Sequence, residues 1–115
     1  MRKAEIKRKT KETSVVISLN LDGSGSSEID TPFGMLTHML EQIAKHAVMD
    51  LSVKVTGDIE TGSHHVVEDT AIVLGKCIDK ALGDRSGIER MADSTVPLDE
   101  ALSRVVIDLG GRGYH

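Results

Sequence analysis

Hydrophobic and polar positions alternate most cleanly over residues 13–21, where Val15, Ile17, Leu19 and Leu21 share one face and Ser14, Val16, Ser18 and Asn20 take the other. That two-residue period predicts a half-buried strand. Residues 4–10 predict a strand before it, Asp22-Gly23-Ser24-Gly25 turns the chain after it, and residues 28–31 predict a further short strand. Then the period lengthens. From residue 33 to about residue 48, Met35, Leu36, Met39, Leu40, Ile43, Ala44 and Ala47 recur at helical spacing, with His38, Gln42 and His46 on another flank. Pro32 fits the first turn of that helix, where its missing N–H costs little. Leu51, Val53 and Val55 restore the alternation until Thr56-Gly57-Asp58. A second helix is expected over 65–82, burying Val67, Ala71, Leu74, Ile78 and Ala81 and stopping at Gly83.

Strands mixed with amphipathic helices after an opening hairpin predict an α+β fold: a four-stranded sheet with two helices on one face. The tail adds a repeat. Val15-Val16-Ile17-Ser18-Leu19 returns as Val105-Val106-Ile107-Asp108-Leu109, and each run precedes a glycine-rich turn. Glu12 has a similar counterpart in Glu100. A duplication would make residues 1–87 the first α+β half-domain and residues 88–115 the opening hairpin of a second, truncated one. A complete protein would then carry a second His-His-x-x-Glu beyond His115.

Composition narrows the function classes. The chain has 115 residues, 39% of them hydrophobic, with Phe33 and Tyr114 as its aromatics, so the core must be aliphatic. A net charge of −4 and the lack of stacking rings argue against a nucleic-acid partner. Cys77 stands alone, which excludes an intrachain disulfide and suits a reducing compartment. Its neighbours read as a small-residue core position. No apolar run approaches the roughly 18 residues of a membrane span. A soluble, cytoplasmic protein without membrane contact is expected.

The densest chemistry is His64-His65-Val66-Val67-Glu68. On a helix, His64 and Glu68 at i and i+4 project from nearly the same face, and His65 lies i+3 from Glu68. Imidazole with carboxylate suits a borderline divalent ion such as Mn²⁺, Fe²⁺ or Zn²⁺. Three such groups do not close a site, and the same spacing also fits a solvated polar face.

Further segments carry the reading beyond spacing. Thr10-Lys11-Glu12-Thr13, Leu19-Asn20-Leu21-Asp22-Gly23, His38-Met39-Leu40-Glu41-Gln42 and His64-His65-Val66-Val67-Glu68-Asp69-Thr70-Ala71 occur in order. Ala81-Leu82-Gly83-Asp84, Gly87-Ile88, Arg90, Val96-Pro97-Leu98-Asp99-Glu100-Ala101-Leu102 and Gly111-Arg112 follow. Together they resemble the imidazoleglycerol-phosphate dehydratase family over essentially the whole chain. The resemblance implies two similar α+β halves, assembly into trimers and a 24-subunit shell, and two Mn²⁺ ions at each interfacial active site. It implies a lyase of histidine biosynthesis that removes water from imidazole glycerol phosphate to give imidazole acetol phosphate. There the two metals would stabilise the ring as an imidazolate while an unactivated C–H proton leaves.

Position by position, the resemblance makes His38, His64, His65 and Glu68 metal ligands and Glu12 the proton carrier. Gln42 and His46 would line the substrate pocket, and Arg90 and Arg112 would hold the phosphate through their guanidinium forks. Read without the resemblance, Glu12, Arg90 and Arg112 are surface charges and His46 finishes a helix. Thr37 stands where the family usually has Asp, and Gly62-Ser63 where it commonly has two, which is expected to weaken metal affinity. About half the family's metal ligands would lie past residue 115, so the truncated chain is expected to be a partial dehydratase, inactive alone. The alternative is a non-catalytic metal-binding or self-assembling half-domain.

Overall fold

A computed structural model describes residues 1–113; Tyr114 and His115, an aromatic and the point where the second unit was expected to break off, lie outside the described residues. The elements run β1 (Lys3–Lys9), β2 (Thr13–Asn20), β3 (Ser27–Asp30), α1 (Gly34–Ala47), β4 (Asp50–Gly57), α2 (His64–Leu82), β5 (Met91–Leu98) and β6 (Ala101–Asp108). They fall into two compact units, Met1–Asp84 and a second beginning at Arg85. Among the described residues no helix is long and apolar enough to cross a membrane.

In the first unit the sheet order is β1-β2-β4-β3. β2 is antiparallel to both β1 and β4, while β3 runs parallel to β4. A parallel pair needs a crossover, and α1 supplies it between β3 and β4. The register lines up Ile6, Ile17, Val53 and Ile29 in one row across the four strands. These residues face the helices, with Ile17 and Val53 fully buried. One residue along, Glu5, Ser18, Ser52 and Glu28 form the matching row on the opposite, wetter face. The sheet therefore has its two helices on one face.

α1 buries a narrower line than its apolar pattern predicts, and α2 buries a different one. In α1 the buried positions are Leu40 and Ala44, with Leu36 partly covered; Met35, Met39, Ile43 and Ala47 are exposed. In α2 the buried line is Val66, Asp69, Thr70, Val73, Cys77 and Ala81. Of the expected line Ala81 is buried, but the rest is displaced by one residue: Val67 is 40% exposed, Ala71 is exposed, and Leu74 and Ile78 only edge the core. Polar anchors turn the helix. The Thr13 hydroxyl and Arg8 guanidinium both donate to the Asp69 carboxylate, drawing that side of α2 onto the sheet.

Helix ends follow local chemistry. Pro32 does not occupy the first turn of α1, because Phe33 is the extended N-cap residue (φ −123, ψ 117). The Thr31 hydroxyl shapes that entry, accepting from the Phe33 N–H at 3.2 Å and lying 3.0 Å from the Phe33 carbonyl. Val48 ends α1 in the left-handed region (φ 54, ψ 37), an uncommon conformation for a β-branched residue. Gly83 (φ 58) ends α2, as its position in the sequence predicts.

The second unit contains the antiparallel hairpin β5–β6, closed by Asp99-Glu100 with Asp99 at φ 49. Its strands are exposed on both faces, including Leu98, Leu102 and Val106. The Val-Val-Ile runs of the two units both lie in the second strand of an antiparallel hairpin.

Candidate metal and substrate site

One edge of the first sheet gathers most of the candidate chemistry. Thr13 at the start of β2 is registered with Gly57 at the end of β4, so the β1–β2 turn carrying Glu12 lies where β4 departs toward α2. β3 is parallel to β4, so α1 also leaves the sheet on this side and carries His38 in its early turns. His46 lies at the other end of α1.

The Glu12 turn is braced from within. The Thr10 hydroxyl accepts from the Glu12 N–H at 3.1 Å and from the Thr13 N–H at 3.0 Å, a side-chain turn that leaves the Glu12 carboxylate exposed. The Asp58 N–H donates to the Glu12 carbonyl at 2.8 Å. Gly57 fills the junction: a Cβ there would stand 2.9 Å from Thr13 Cγ2, 3.0 Å from the Glu12 carbonyl oxygen and 3.0 Å from Val66 Cγ2. Glycine is thus required for close approach rather than for its dihedral freedom.

Asp58 then organises the entry to α2. Its carboxylate accepts from the Glu60 N–H at 2.9 Å and the Thr61 hydroxyl at 3.2 Å. The Glu60 N–H, more than any other partner, holds its pKa below the ordinary carboxylate value. One oxygen lies 3.8 Å from Nδ1 of His65. One turn along the same face of α2 from His65, the Thr13 hydroxyl, followed by Arg8, holds the Asp69 carboxyl below its ordinary value.

His64 and Glu68 meet as their i, i+4 spacing requires, with Nε2 3.2 Å from Oε2. Two ligands at right angles on an ion, each about 2.1 Å from it, are separated by about 3.0 Å, so this pair suits a shared divalent cation. The same distance suits an ordinary ion pair. The His65 ring stands edge-on to His64, at 5.6 Å between centroids and 76° between planes, so the two imidazoles do not stack. Among the described residues no three His, Cys, Asp or Glu groups converge closely enough to hold a metal. The structure therefore supplies a two-donor arm with a third imidazole beside it. His38 approaches by topology, without joining the cluster.

On α1, Gln42 and His46 pair with each other at 3.2 Å. The Thr37 hydroxyl is engaged with the Thr31 hydroxyl at 2.9 Å, so it supports the helix entry. An open depression beside the metal candidates is lined by Thr61, Ser63, His64, Val67 and Glu68. A broader one at the opposite sheet edge, by Lys3, Asn20, Asp50 and Lys80, contains none of the predicted residues.

The phosphate candidates lie in the second unit. The Arg90 fork is occupied by Asp108, with Nε to Oδ1 at 2.6 Å and a terminal nitrogen to Oδ2 at 3.0 Å. This pairing raises the Arg90 pKa and lowers that of Asp108. Arg112 is exposed beyond the Gly110-Gly111 turn. Arg90 flanks Gly110, and Arg85 flanks Gly111. Sequence reasoning missed Asp58, Asp108 and Arg85, and gave Asp69 no separate role. The visible signal for Asp58 was an Asp closing a strand just before the His pair.

The profile of the imidazoleglycerol-phosphate dehydratase family matches residues 31–115. The chain belongs to that family. It is 55% identical over 114 residues to the imidazoleglycerol-phosphate dehydratase of Methanococcoides burtonii, covering 99% of this chain and 60% of that protein. A histidine biosynthesis bifunctional protein of Bacteroides fragilis is 54% identical over 113 residues, covering 98% of this chain and 30% of that one. The crystal structure of the Staphylococcus aureus imidazoleglycerol-phosphate dehydratase superposes with a TM-score of 0.83 at 33% identity, over 97% of this chain and 60% of that structure. The chain thus spans well under two thirds of the single-activity relatives it matches.

Proposed function

We propose that these residues form part of a metal-dependent dehydratase site acting on imidazole glycerol phosphate, within histidine biosynthesis. The observation that carries the reading is the junction at Gly57-Asp58, which ties the Glu12 turn to the helix start bearing His64, His65 and Glu68. His64 and Glu68 would hold one Mn²⁺ ion, and His65 and His38 would serve a second, with further donors from outside this cluster. Bound there, such ions would supply Lewis acidity toward an imidazole ring. Glu12, exposed on a braced turn, would accept the C–H proton and return a proton to the departing hydroxyl, which leaves as water. Gln42 and His46 would line the substrate pocket from the far half of α1, where they pair with each other. Arg90 and Arg112, in the second unit, would be the phosphate ligands, with Asp108 holding two of the Arg90 guanidinium nitrogens in the meantime.

The alternative, a non-catalytic metal-binding or self-assembling half-domain, is favoured by the exposed Met35, Met39 and Ile43 on α1 and by the uncovered hairpin. Oligomers of the family's trimer-to-24-mer kind would cover such faces. The test is Mn²⁺ titration of the chain together with a turnover assay on imidazole glycerol phosphate. Product formation that Glu12→Gln abolishes, with Mn²⁺ binding retained, supports the dehydratase. Mn²⁺ binding without product favours the half-domain, and absence of both refutes the metal-site assignment.

A further inference from the structure

We infer that Asp58 is a positioning residue that fixes the ring of His65 through Nδ1, leaving Nε2 as the nitrogen offered to a ligand. The part of this inference that concerns a metal rests on the dehydratase reading; the part that concerns the ring does not.

His65 Nδ1 is shielded from solvent and has no hydrogen-bond partner, although the ring is partly exposed. A buried ring nitrogen left unpaired is costly, so an acceptor close by is the partner expected for it. An oxygen of the Asp58 carboxylate stands 3.8 Å from it, just beyond hydrogen-bond reach. Asp58 is itself immobilised by the Glu60 N–H and the Thr61 hydroxyl, while its own N–H is committed to Glu12. A fixed carboxylate facing Nδ1 selects the tautomer protonated there, so the lone pair moves to Nε2. Carboxylates behind metal-binding histidines orient them in this way and raise their basicity. The arrangement also links two roles. The backbone of Asp58 holds the Glu12 turn and its side chain holds His65, so proton carrier and ligand share one reference point. Asp69, one turn along the same face of α2 and within electrostatic reach of His65, has both carboxylate oxygens committed to Arg8 and Thr13.

The test is the tautomeric state of each histidine in the full 115-residue chain without metal, read from long-range proton–nitrogen correlation spectra at a pH where the rings are neutral. In the wild type, His65 should be protonated at Nδ1. In Asp58→Ala the two His65 nitrogen shifts should exchange, toward the Nε2-protonated form that free histidine prefers, while His64 stays unchanged. A wild-type His65 protonated at Nε2 overturns the inference, and so does an Asp58→Ala spectrum that leaves His65 as it was. The wild-type measurement decides alone if the variant does not fold. Because no turnover or metal is involved, a correct tautomer in a chain that binds no Mn²⁺ defeats the dehydratase reading and leaves this one standing.

Discussion

Gly57→Ala isolates the junction on which the candidate site is built. The added methyl would meet Thr13 Cγ2 at 2.9 Å, Val66 Cγ2 at 3.0 Å and the Glu12 carbonyl oxygen at 3.0 Å. Carbon atoms pack at about 3.5–4.0 Å, so each carbon neighbour must retreat by roughly 0.5–1 Å. None can do so cheaply. Val66 is wholly buried, and rotation of Thr13 would break its hydroxyl bond to Asp69. The Glu12 carbonyl is held by the Asp58 N–H. Overpacking of this kind typically costs about 1–3 kcal/mol. In a unit the size of Met1–Asp84, a loss near 2 kcal/mol lowers the melting temperature by about 8–16 °C. Urea titration followed by circular dichroism should show an earlier midpoint with an unchanged slope. Amide resonances of residues 10–13 and 66 should move together. A stability change within about 0.3 kcal/mol of zero, with those resonances unmoved, would falsify the close-packed junction.

Other perturbations probe separate contacts. Val48→Gly should stabilise the fold by about 0.5–1 kcal/mol, because the exposed valine gives up little burial and glycine adopts the left-handed conformation without steric cost; an unchanged melting temperature refutes the strain. Asp69→Asn should cost about 2 kcal/mol near neutral pH, since it weakens charge-assisted bonds from Thr13 and Arg8. The Asp69 carboxyl is held below its ordinary value, so its stabilisation is complete above about pH 4 and fades as pH falls through the folded-state value. The gap between wild type and variant should therefore narrow in acid titrations, and a constant gap contradicts the linkage. Leu40→Ala should cost about 2–4 kcal/mol and the neighbouring Met39→Ala under about 1 kcal/mol, as calorimetry can compare; similar losses would mean that α1 buries a different line. Cys77 is fully buried, and desolvation pushes its thiol pKa up, so disulfide reagents should modify it only as fast as the unit opens. Rapid labelling under native conditions would place the thiol elsewhere.

The sheet was readable because each of its strands is short and its alternation local: Val15, Ile17 and Leu19 mark their buried face without help from the rest of the chain. The helices were readable as helices, though not by face. In α2 the larger aliphatic residues, Val67, Leu74 and Ile78, fall on one line, and size alone favours it. The buried line one residue away contains Asp69 and Thr70, whose burial no periodicity reveals. Asp69 is tolerated there because Arg8 and Thr13, distant in sequence, arrive with the β1–β2 hairpin. In α1 both Leu40 and Met39 belong to the same apolar stripe, and only the crossover onto β3 and β4 decides which is covered.

The site divides along the same boundary between local and distant information. The His64–Glu68 contact is set by helix spacing alone, so the sequence shows it directly. Asp58 has no such signature, because its importance depends on which residue faces it across the sheet. The pairing of Thr13 with Gly57 puts the Glu12 carbonyl against the Asp58 N–H and brings Val66 over the same glycine. A slip of one residue between β2 and β4 would turn every side chain of one strand to the wrong face. It would also carry Glu12 away from Asp58, breaking the link to His65. The aliphatic rows that exclude that slip, Val15 with Val55, Ile17 with Val53 and Leu19 with Leu51, therefore hold the chemistry in place as well as the core.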